Sequence, residues 1–160
     1  MRAETFFDTS ALLYATDPTD PRSGLAVAEL AVGGITSVQV LCEFTTIVRT
    51  RLGRGWPEIH EALGIFGALC PKPLPIHLAT YEVALELVQQ EMLTLSDALV
   101  AASAIRGGCL RLLTDMAAHD RVLGERLTVL NPFAVYNARA TRRLAPLLVP
   151  PSSRIIRDLD

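Results

Sequence analysis

Cysteine is scarce in this chain of 160 residues, and the three cysteines lie far apart. They form no CxxC pair, and their number is odd, so no disulfide framework is indicated. Widely spaced, unpaired thiols are typical of reducing compartments, and we therefore expect a cytoplasmic protein. The three positions are Cys42, Cys70 and Cys109.

Long apolar runs are missing as well. Half of the residues are hydrophobic, but no uninterrupted apolar stretch reaches the ~18 residues that a membrane span needs. The first few positions include an acidic residue and no long apolar core, so we expect neither a signal peptide nor a membrane partner. With 20% charged residues, the composition is that of a globular chain with enough residues for one full core.

Several common catalytic motifs are also absent. There is no GxGxxG and no GxxxxGK[ST] sequence, so nothing indicates a glycine loop that binds nucleotides. Lys72 is the only lysine and lies in an early loop, whereas a phospho-receiver domain needs a lysine after a late strand. Ser10 and Ser103 have no plausible base for acyl transfer. The histidines, which show no HxH or HExxH spacing and so argue against zinc, are His60, His77 and His119.

Short apolar runs do alternate with helix-start signals along the chain. The runs predict strands at about 3–7, 35–36, 71–76, 110–114 and 127–130. The intervening periodicity predicts helices over about 9–16, 23–32, 37–52, 57–69, 77–92 and 96–106, with a further helical turn from Asp120. Strands that alternate with helices imply an α/β fold whose parallel sheet has right-handed crossovers.

Two of these helices have informative apolar patterns. The stretch from Ala98 to Ile105 contains no charge and one hydroxyl, so we expect this helix to be buried on all sides, with Ser96 as its N-cap. The helix over 77–92 is amphipathic instead. Its predicted apolar face carries Leu78, Tyr81, Leu85, Val88 and Met92.

One acid stands where the first predicted strand gives way to a helix. The apolar run Phe6-Phe7 stops at Asp8, and the helix opens at Thr9 or Ser10, whose hydroxyls can cap its first turn. In open α/β sheets, ligands bind outside the carboxyl ends of the strands, and Asp8 would lie there. Considered by itself, Asp8 has the alternative role of an ordinary acid at a helix start.

Three further acids recur in comparable places. Asp115 follows a late strand, Glu43 borders the apolar stripe of its helix, and Asp97 lies in the first turn of the buried helix. In a parallel sheet these carboxylates can converge with Asp8 at one edge, where protonation or cations would relieve their repulsion. Oxygen ligands favour Mg²⁺ or Mn²⁺, which can activate water for phosphodiester cleavage. The alternative for each acid singly is helix capping or a surface charge.

Positive charge is concentrated towards the C-terminus. From Asn137 onwards, five arginines face two aspartates, a local balance of +3. Because the whole chain has a formal net charge of −2, the preceding part carries −5. We divide the chain into a domain over 1–136 and a basic, proline-rich extension over 137–160 that we expect to be partly mobile. An acidic body suits a site that holds cations and, through them, phosphates.

Taken together in this order, five segments resemble the PIN domain, and most closely the VapC-type toxins of bacterial toxin–antitoxin pairs. The resemblance covers about 3–133 and depends on the ordered set, since no single motif is specific. The segments are Phe7-Asp8-Thr9-Ser10-Ala11-Leu12-Leu13, Glu43 in a helix after a short strand, Ser96-Asp97-Ala98-Leu99-Val100-Ala101-Ala102, Leu112-Leu113-Thr114-Asp115-Met116 and Asn131-Pro132-Phe133.

The resemblance implies a three-layer α/β/α sandwich with a parallel five-stranded sheet of order 3-2-1-4-5. It also implies a Mg²⁺- or Mn²⁺-dependent endoribonuclease, usually a homodimer, that a small antitoxin protein inhibits. Asp8, Glu43, Asp97 and Asp115 match the acidic positions of the family, which hold the ion and position the attacking water. A PIN-like module without catalysis, which acts by forming protein complexes, is the competing function.

The fourth acidic position departs from the family pattern. Many relatives have a further acid between the threonine and the aspartate, whereas Asp115 directly follows Thr114. Either one residue is deleted and Asp115 is the ligand, or the register is ungapped and Met116 occupies the position. We prefer the deletion, because it also brings the segment through 131–133 into register.

Three arginines at the end of the helix that carries Glu43 are candidates for steering RNA phosphates. They are Arg49, Arg51 and Arg54. Favourable charge at a helix C-terminus, together with solvation, is the alternative explanation for all three.

Overall fold

The computed structural model describes residues 5–118 and 120–134, which form an α/β fold. The predicted extension over 137–160, the boundary after residue 136 and His119 lie outside these residues. The described strands are β1 (Thr5–Phe7), β2 (Arg111–Leu113), β3 (Val122–Leu123) and β4 (Leu127–Leu130). The described helices are α1 (Thr9–Thr16), α2 (Ser23–Ala31), α3 (Val38–Thr50), α4 (Trp56–Leu69), α5 (Leu78–Glu91) and α6 (Leu95–Arg106).

The four strands form one mixed sheet in the order β1-β2-β4-β3. The β1–β2 and β2–β4 pairs are parallel, whereas β3 runs antiparallel to β4. Phe7 lies opposite Leu113 in the β1–β2 register. Asp8 and Thr114, the next residues in each strand, therefore leave the sheet side by side at its carboxyl edge.

The five-stranded, all-parallel sheet expected from the sequence is not what these residues form. Two of the expected strands contribute only single parallel bridges, Phe6 with Ile35 and Ser37 with Leu74. Ile35 has little room to pair, because Gly34 precedes it and the N-cap of α3 follows two residues later. Leu74 lies between two prolines, which cannot donate hydrogen bonds to a ladder.

The helical turn expected from Asp120 is also wrong. Asp120 has a φ of 63°, a left-handed conformation that does not begin a helix. Its backbone N–H donates instead to the carbonyl of Val129 on β4, and the chain continues directly into β3. The antiparallel β3–β4 pair therefore takes the place of the expected turn.

Helices α1 and α6 have N-caps that differ from the predicted ones. Asp8 itself is the N-cap of α1, and its carboxylate accepts from the N–H of Thr9 at 2.6 Å. The N-cap of α6 is Thr94, not Ser96, and its hydroxyl accepts from the N–H of Asp97 at 3.2 Å. Asp8 is therefore an acid at a helix start, which is one of the two roles suggested for it from the sequence.

Helix α6 is buried, as its uncharged stretch predicts. Ala98 and the residues over 100–104 are at most 2% exposed, and all of them except Ser103 join one apolar cluster with the side chains of the sheet. The helix therefore has a fixed position, and Asp97 in its first turn lies at the border of the core. In the part of the chain that the structure describes, no helix combines the length and apolarity needed to cross a bilayer.

The apolar face predicted for α5 is not its core face. This helix packs against α6 and buries Thr80, Ala84 and Leu87. Small side chains let two helices approach closely, so the alanine-rich surface of α6 favours the threonine and alanine positions of α5 over the bulkier stripe. The large apolar side chains that remain exposed on and beside α5 are Leu78, Tyr81, Leu85 and Met92.

Gly34 marks a close approach of the chain to β1. A Cβ atom at this position would lie 2.5 Å from the ring of Phe7 and 2.5 Å from the carbonyl oxygen of Thr5. Because the backbone oxygen cannot move aside cheaply, we expect Gly34→Ala to lower the free energy of unfolding by about 2–3 kcal/mol. Urea denaturation followed by circular dichroism measures this loss.

Gly64 provides the matched control for that substitution. It lies within α4, and a Cβ atom there would meet no atom within 4 Å. We expect Gly64→Ala to raise the free energy of unfolding by about 0.5–1 kcal/mol, because alanine favours the helix. Equal effects of the two substitutions would contradict the close approach at Gly34.

Candidate active site

An open cleft of about 210 Å³ lies at the carboxyl end of β1. Its walls come from α1, α3, α6 and the segment that follows β2. All four acids singled out from the sequence line this cleft, namely Asp8, Glu43, Asp97 and Asp115. Residues from separate parts of the chain thus meet at one edge of the sheet.

Asp8 is the most constrained of the four acids. Its side chain is almost fully buried, and its two oxygens accept from the N–H of Thr9 and the hydroxyl of Thr114, each at 2.6 Å. Burial raises the pKa of Asp8 from 3.8 to about 6, against the effect of these hydrogen bonds. The negative charges of Glu43 and Asp115 contribute to this rise. At neutral pH the site therefore holds a buried carboxylate whose charge is costly.

Glu43 connects three helices at the cleft. Its Oε2 accepts from the hydroxyl of Thr9 at 2.9 Å, and its Oε1 accepts from the hydroxyl of Ser96 at 2.7 Å. The side-chain amide of Gln39 donates to Oε1 at 3.3 Å. These donors lie on α1, α6 and α3, so the carboxylate has a defined orientation. Ser96 thus contributes a hydrogen bond to the cleft, while Thr94 caps α6.

Asp115 lies at the more open side of the cleft. Its backbone N–H donates to the hydroxyl of Ser10 at 3.1 Å, and its carboxylate accepts from the hydroxyl of Tyr14. Met116, the alternative for the fourth acidic position, is 7% exposed and does not line the cleft. Of the two neighbours, Asp115 is therefore the one that contributes to the cleft surface.

The carboxylates do not form a ready-made ligand cage. Within residues 5–118 and 120–134, no three histidine, cysteine, aspartate or glutamate side chains are grouped closely enough to hold an ion together. They accept from hydroxyl groups instead. The possible metal ligands are nevertheless all oxygen atoms, and those of Asp8 belong to a buried carboxylate. Mg²⁺ and Mn²⁺ favour negatively charged oxygen ligands of this kind. The chemistry of these residues thus fits a divalent cation, although binding requires their side chains to turn.

Sequence reasoning missed the hydroxyl groups that surround the acids. It assigned helix capping to Thr9, Ser10 and Ser96 and gave the other hydroxyl groups no role, whereas in the structure they all donate to carboxylates or accept from the N–H next to one. Their signal is position, since each of three acids has a hydroxyl residue beside it in the chain. The hydroxyl residues involved are Thr9, Ser10, Tyr14, Ser96 and Thr114.

The three arginines expected to steer RNA are exposed but do not line the cleft. Arg54 forms an ion pair with Glu58 at 3.1 Å, which offsets its charge. Arg49 donates to the carbonyl of Arg54 at 3.1 Å, and its guanidinium lies 5.6 Å from the ring centroid of Trp56. Arg51 follows α3 as its C-cap.

A larger groove of about 330 Å³ lies between α1, α3 and α4. Its floor is apolar and includes Phe44, Val48 and Phe66. None of the four acids of the cleft lines it. We therefore place the candidate chemistry in the smaller cleft, where polar groups converge.

The chain is similar to known proteins in sequence and in fold. A family model described as PIN domain matches residues 5–122. The structure resembles VapC20 of Mycobacterium tuberculosis, a sarcin–ricin loop cleaving toxin, with a TM-score of 0.56 and 24% identity, covering 68% of this chain and 87% of that chain. It also resembles VapBC2 from Rickettsia felis, solved with a promoter DNA fragment, with a TM-score of 0.55 and 18% identity over 79% and 98% of the two chains. No curated protein sequence matches.

Proposed function

The chain belongs to the PIN domain family, and on this premise we propose that it is a metal-dependent endoribonuclease, the toxin of a toxin–antitoxin pair. The observation that carries the proposal is the convergence of Asp8, Glu43, Asp97 and Asp115 on one cleft. The likeness to two VapC structures supports the fold on which that cleft is built. Cleavage of RNA phosphodiesters is the reaction that such an oxygen-rich site serves best.

In this proposal Asp8, Glu43 and Asp97 hold Mg²⁺ or Mn²⁺, and Asp115 completes the site or binds a second ion. The bound cation supplies an acidic water and stabilises charge on the leaving oxygen. The contribution of the protein is preorganisation. Hydrogen bonds from Thr9 and Thr114 hold the carboxylate of Asp8 before the cation arrives.

The remaining parts of the proposal concern substrate and partners. The cleft is open, which suits a polymeric RNA strand. Arg49, Arg51 and Arg54 attract RNA phosphates from outside the cleft, with Arg54 weakened by its ion pair with Glu58. We further propose a cytoplasmic homodimer whose PIN domain over 1–136 is inhibited by a small antitoxin protein, in line with the likeness to VapBC2.

A second function is favoured by one observation. Among the described residues no three acids are grouped tightly enough to hold an ion, which suits a PIN-like module that only forms protein complexes. Such a module would not need to gather its carboxylates at all. Cation-dependent cleavage therefore separates the two functions.

Mapping of cleavage sites on total RNA tests the proposal. We expect the purified chain to produce discrete new RNA ends with Mn²⁺, and none with EDTA or in the Asp97→Asn variant. The control is Asp17→Asn, which changes an acid outside the cleft and should leave cleavage unchanged. A chain that binds protein partners but produces no new RNA ends under any of these conditions would support the non-catalytic function instead.

A further inference from the structure

The loop between α1 and α2 is tied down by one arginine. Arg22 donates from Nε and Nη2 to the two carboxylate oxygens of Asp20, at 2.8 and 2.7 Å, and its backbone N–H donates to the same carboxylate at 2.8 Å. The side chain of Asp20 is only 15% exposed, so it is not the solvated loop acid that its sequence context suggests. A bidentate pair of this kind fixes the plane of the guanidinium.

Arg22 in turn fixes the position of Tyr14. Its Nη1 donates to the hydroxyl oxygen of Tyr14 at 2.9 Å, and its Cζ lies 3.7 Å from the ring centroid. The ring of Phe133 meets the tyrosine edge-on, with the centroids 4.9 Å apart. Contacts with a cation and with a second ring thus hold the tyrosine in one orientation.

The hydroxyl of Tyr14 then reaches the cleft. Its oxygen already accepts from Arg22, so its one hydrogen is available for donation, and it donates to Oδ2 of Asp115. The backbone N–H of Asp115 donates to Ser10, which lies four residues before Tyr14 on the same face of α1. Because Asp115 is exposed, packing does little to orient it. The contact with Ser10 holds its backbone, and the hydrogen bond from Tyr14 sets the direction of its carboxylate.

We infer that Tyr14 is a positioning residue that orients Asp115 in the cleft, and that Arg22 and Asp20 hold Tyr14 for this task. The inference rests on the proposed function, in which Asp115 is an oxygen ligand. A neutral hydroxyl suits this position better than a lysine or arginine, because a cationic donor would repel the divalent ion. The positive charge of Arg22 polarises the hydroxyl of Tyr14, but it lies one hydrogen bond further from Asp115. The carboxylate of Asp20 also offsets this charge.

A purely structural role for the same contacts makes a different prediction. In that case Tyr14 only ties α1 to the following loop, and its loss changes stability without changing the affinity for a cation. Tyr14→Phe separates the roles, because it removes the hydroxyl and keeps the ring against Phe133. Arg22→Lys keeps the charge but cannot bind Asp20 through two nitrogens.

The test is calorimetric titration of Mn²⁺ into the wild type, Tyr14→Phe, Asp115→Asn and the double variant. We expect Tyr14→Phe to weaken Mn²⁺ binding about 10-fold and Arg22→Lys to weaken it less, the effect typical of residues that orient a metal ligand. In the Asp115→Asn background, Tyr14→Phe should cause no further loss, since both changes act through one carboxylate. Tyr81→Phe on the exposed side of α5 is the control and should bind like the wild type.

Two results would overturn the inference while leaving the proposed function in place. One is unchanged Mn²⁺ affinity in Tyr14→Phe, and the other is a loss of affinity that persists undiminished when Asp115 is already asparagine. A wild type that binds no Mn²⁺ would overturn the proposed function itself, and this inference with it. Urea midpoints of all variants show whether any loss of affinity merely follows a loss of fold.

Discussion

Asp8→Asn is expected to lower RNA cleavage by more than about 100-fold and, in the same protein, to raise the free energy of unfolding without metal ions. The activity falls because the variant loses a charged group that we propose as a ligand of the metal ion, and even changes to residues behind a ligand cost 10–100-fold. Stability rises because the substitution removes a carboxylate that burial and the charges of Glu43 and Asp115 destabilise. A pKa raised from 3.8 to about 6 corresponds to about 3 kcal/mol at most.

The gain in stability should depend on pH in a defined direction. In the wild type the carboxyl of Asp8 is protonated more readily in the folded chain than in the unfolded chain, so its favourable contribution is complete below about pH 4. That contribution disappears as the pH rises through about 6. The two proteins should therefore unfold alike near pH 4, while Asp8→Asn should be the more stable by about 1–2 kcal/mol at pH 7.5, after allowance for its altered bond to Thr114.

Urea denaturation in EDTA at both pH values measures this difference, and an RNA cleavage assay with Mn²⁺ measures the activity. An active Asp8→Asn protein would remove Asp8 from the catalytic assignment. A variant less stable than the wild type at pH 7.5 would show instead that the hydrogen bonds of the carboxylate outweigh the cost of its burial.

Glu43→Gln is expected to reduce cleavage by about 100-fold but to change stability in the opposite direction. Glu43 is only half-buried, and it accepts hydrogen bonds from Thr9, Ser96 and Gln39. A glutamine offers one carbonyl oxygen in place of two carboxylate oxygens, so at least one of these donors loses its acceptor. We expect the free energy of unfolding to fall by about 1 kcal/mol.

The control for this substitution is Glu86→Gln, which makes the same chemical change at an exposed position of α5. It should leave both cleavage and the urea midpoint within error of the wild type. Cleavage by Glu43→Gln at the rate of Glu86→Gln would show that Glu43 ties the helices together without taking part in the reaction.

The centre of the fold could be predicted from local sequence. The apolar run that stops at Asp8, the uncharged stretch of α6 and the strand before Asp115 each correspond to buried elements. The sequence patterns of these elements are clear because an element that is buried on every side cannot contain charged residues. Asp8, Asp97 and Asp115 at the ends of these elements therefore reach one cleft, where Glu43 joins them from within α3.

The edges of the fold could not be predicted in the same way. Whether the segments at 35–36 and 71–76 form strands depends on pairing partners, and each makes only one bridge. The face of α5 that meets the core was also misassigned, because amphipathic spacing shows that a stripe exists but not what covers it. There the small side chains of α6 decided the packing.

Side-chain networks were the least accessible from the sequence. The contacts from Asp20 through Arg22 and Tyr14 to Asp115 join positions up to 101 residues apart, and no spacing rule connects them. The hydroxyl beside three of the acids did carry a local signal, but helix capping explained it equally well. In the structure neither of these hydroxyl positions is the cap, because Asp8 caps α1 and Thr94 caps α6.

Anomalous diffraction from crystals grown with Mn²⁺ tests most directly whether the acids of the cleft share a cation. We expect an anomalous peak in the cleft, with carboxylate oxygens of Asp8 and Asp97 about 2.1 Å from it. Rotation of side chains about their χ angles should be the main change from the present structure. A fully occupied Mn²⁺ elsewhere on the protein, with none between Asp8 and Asp97, would contradict the account.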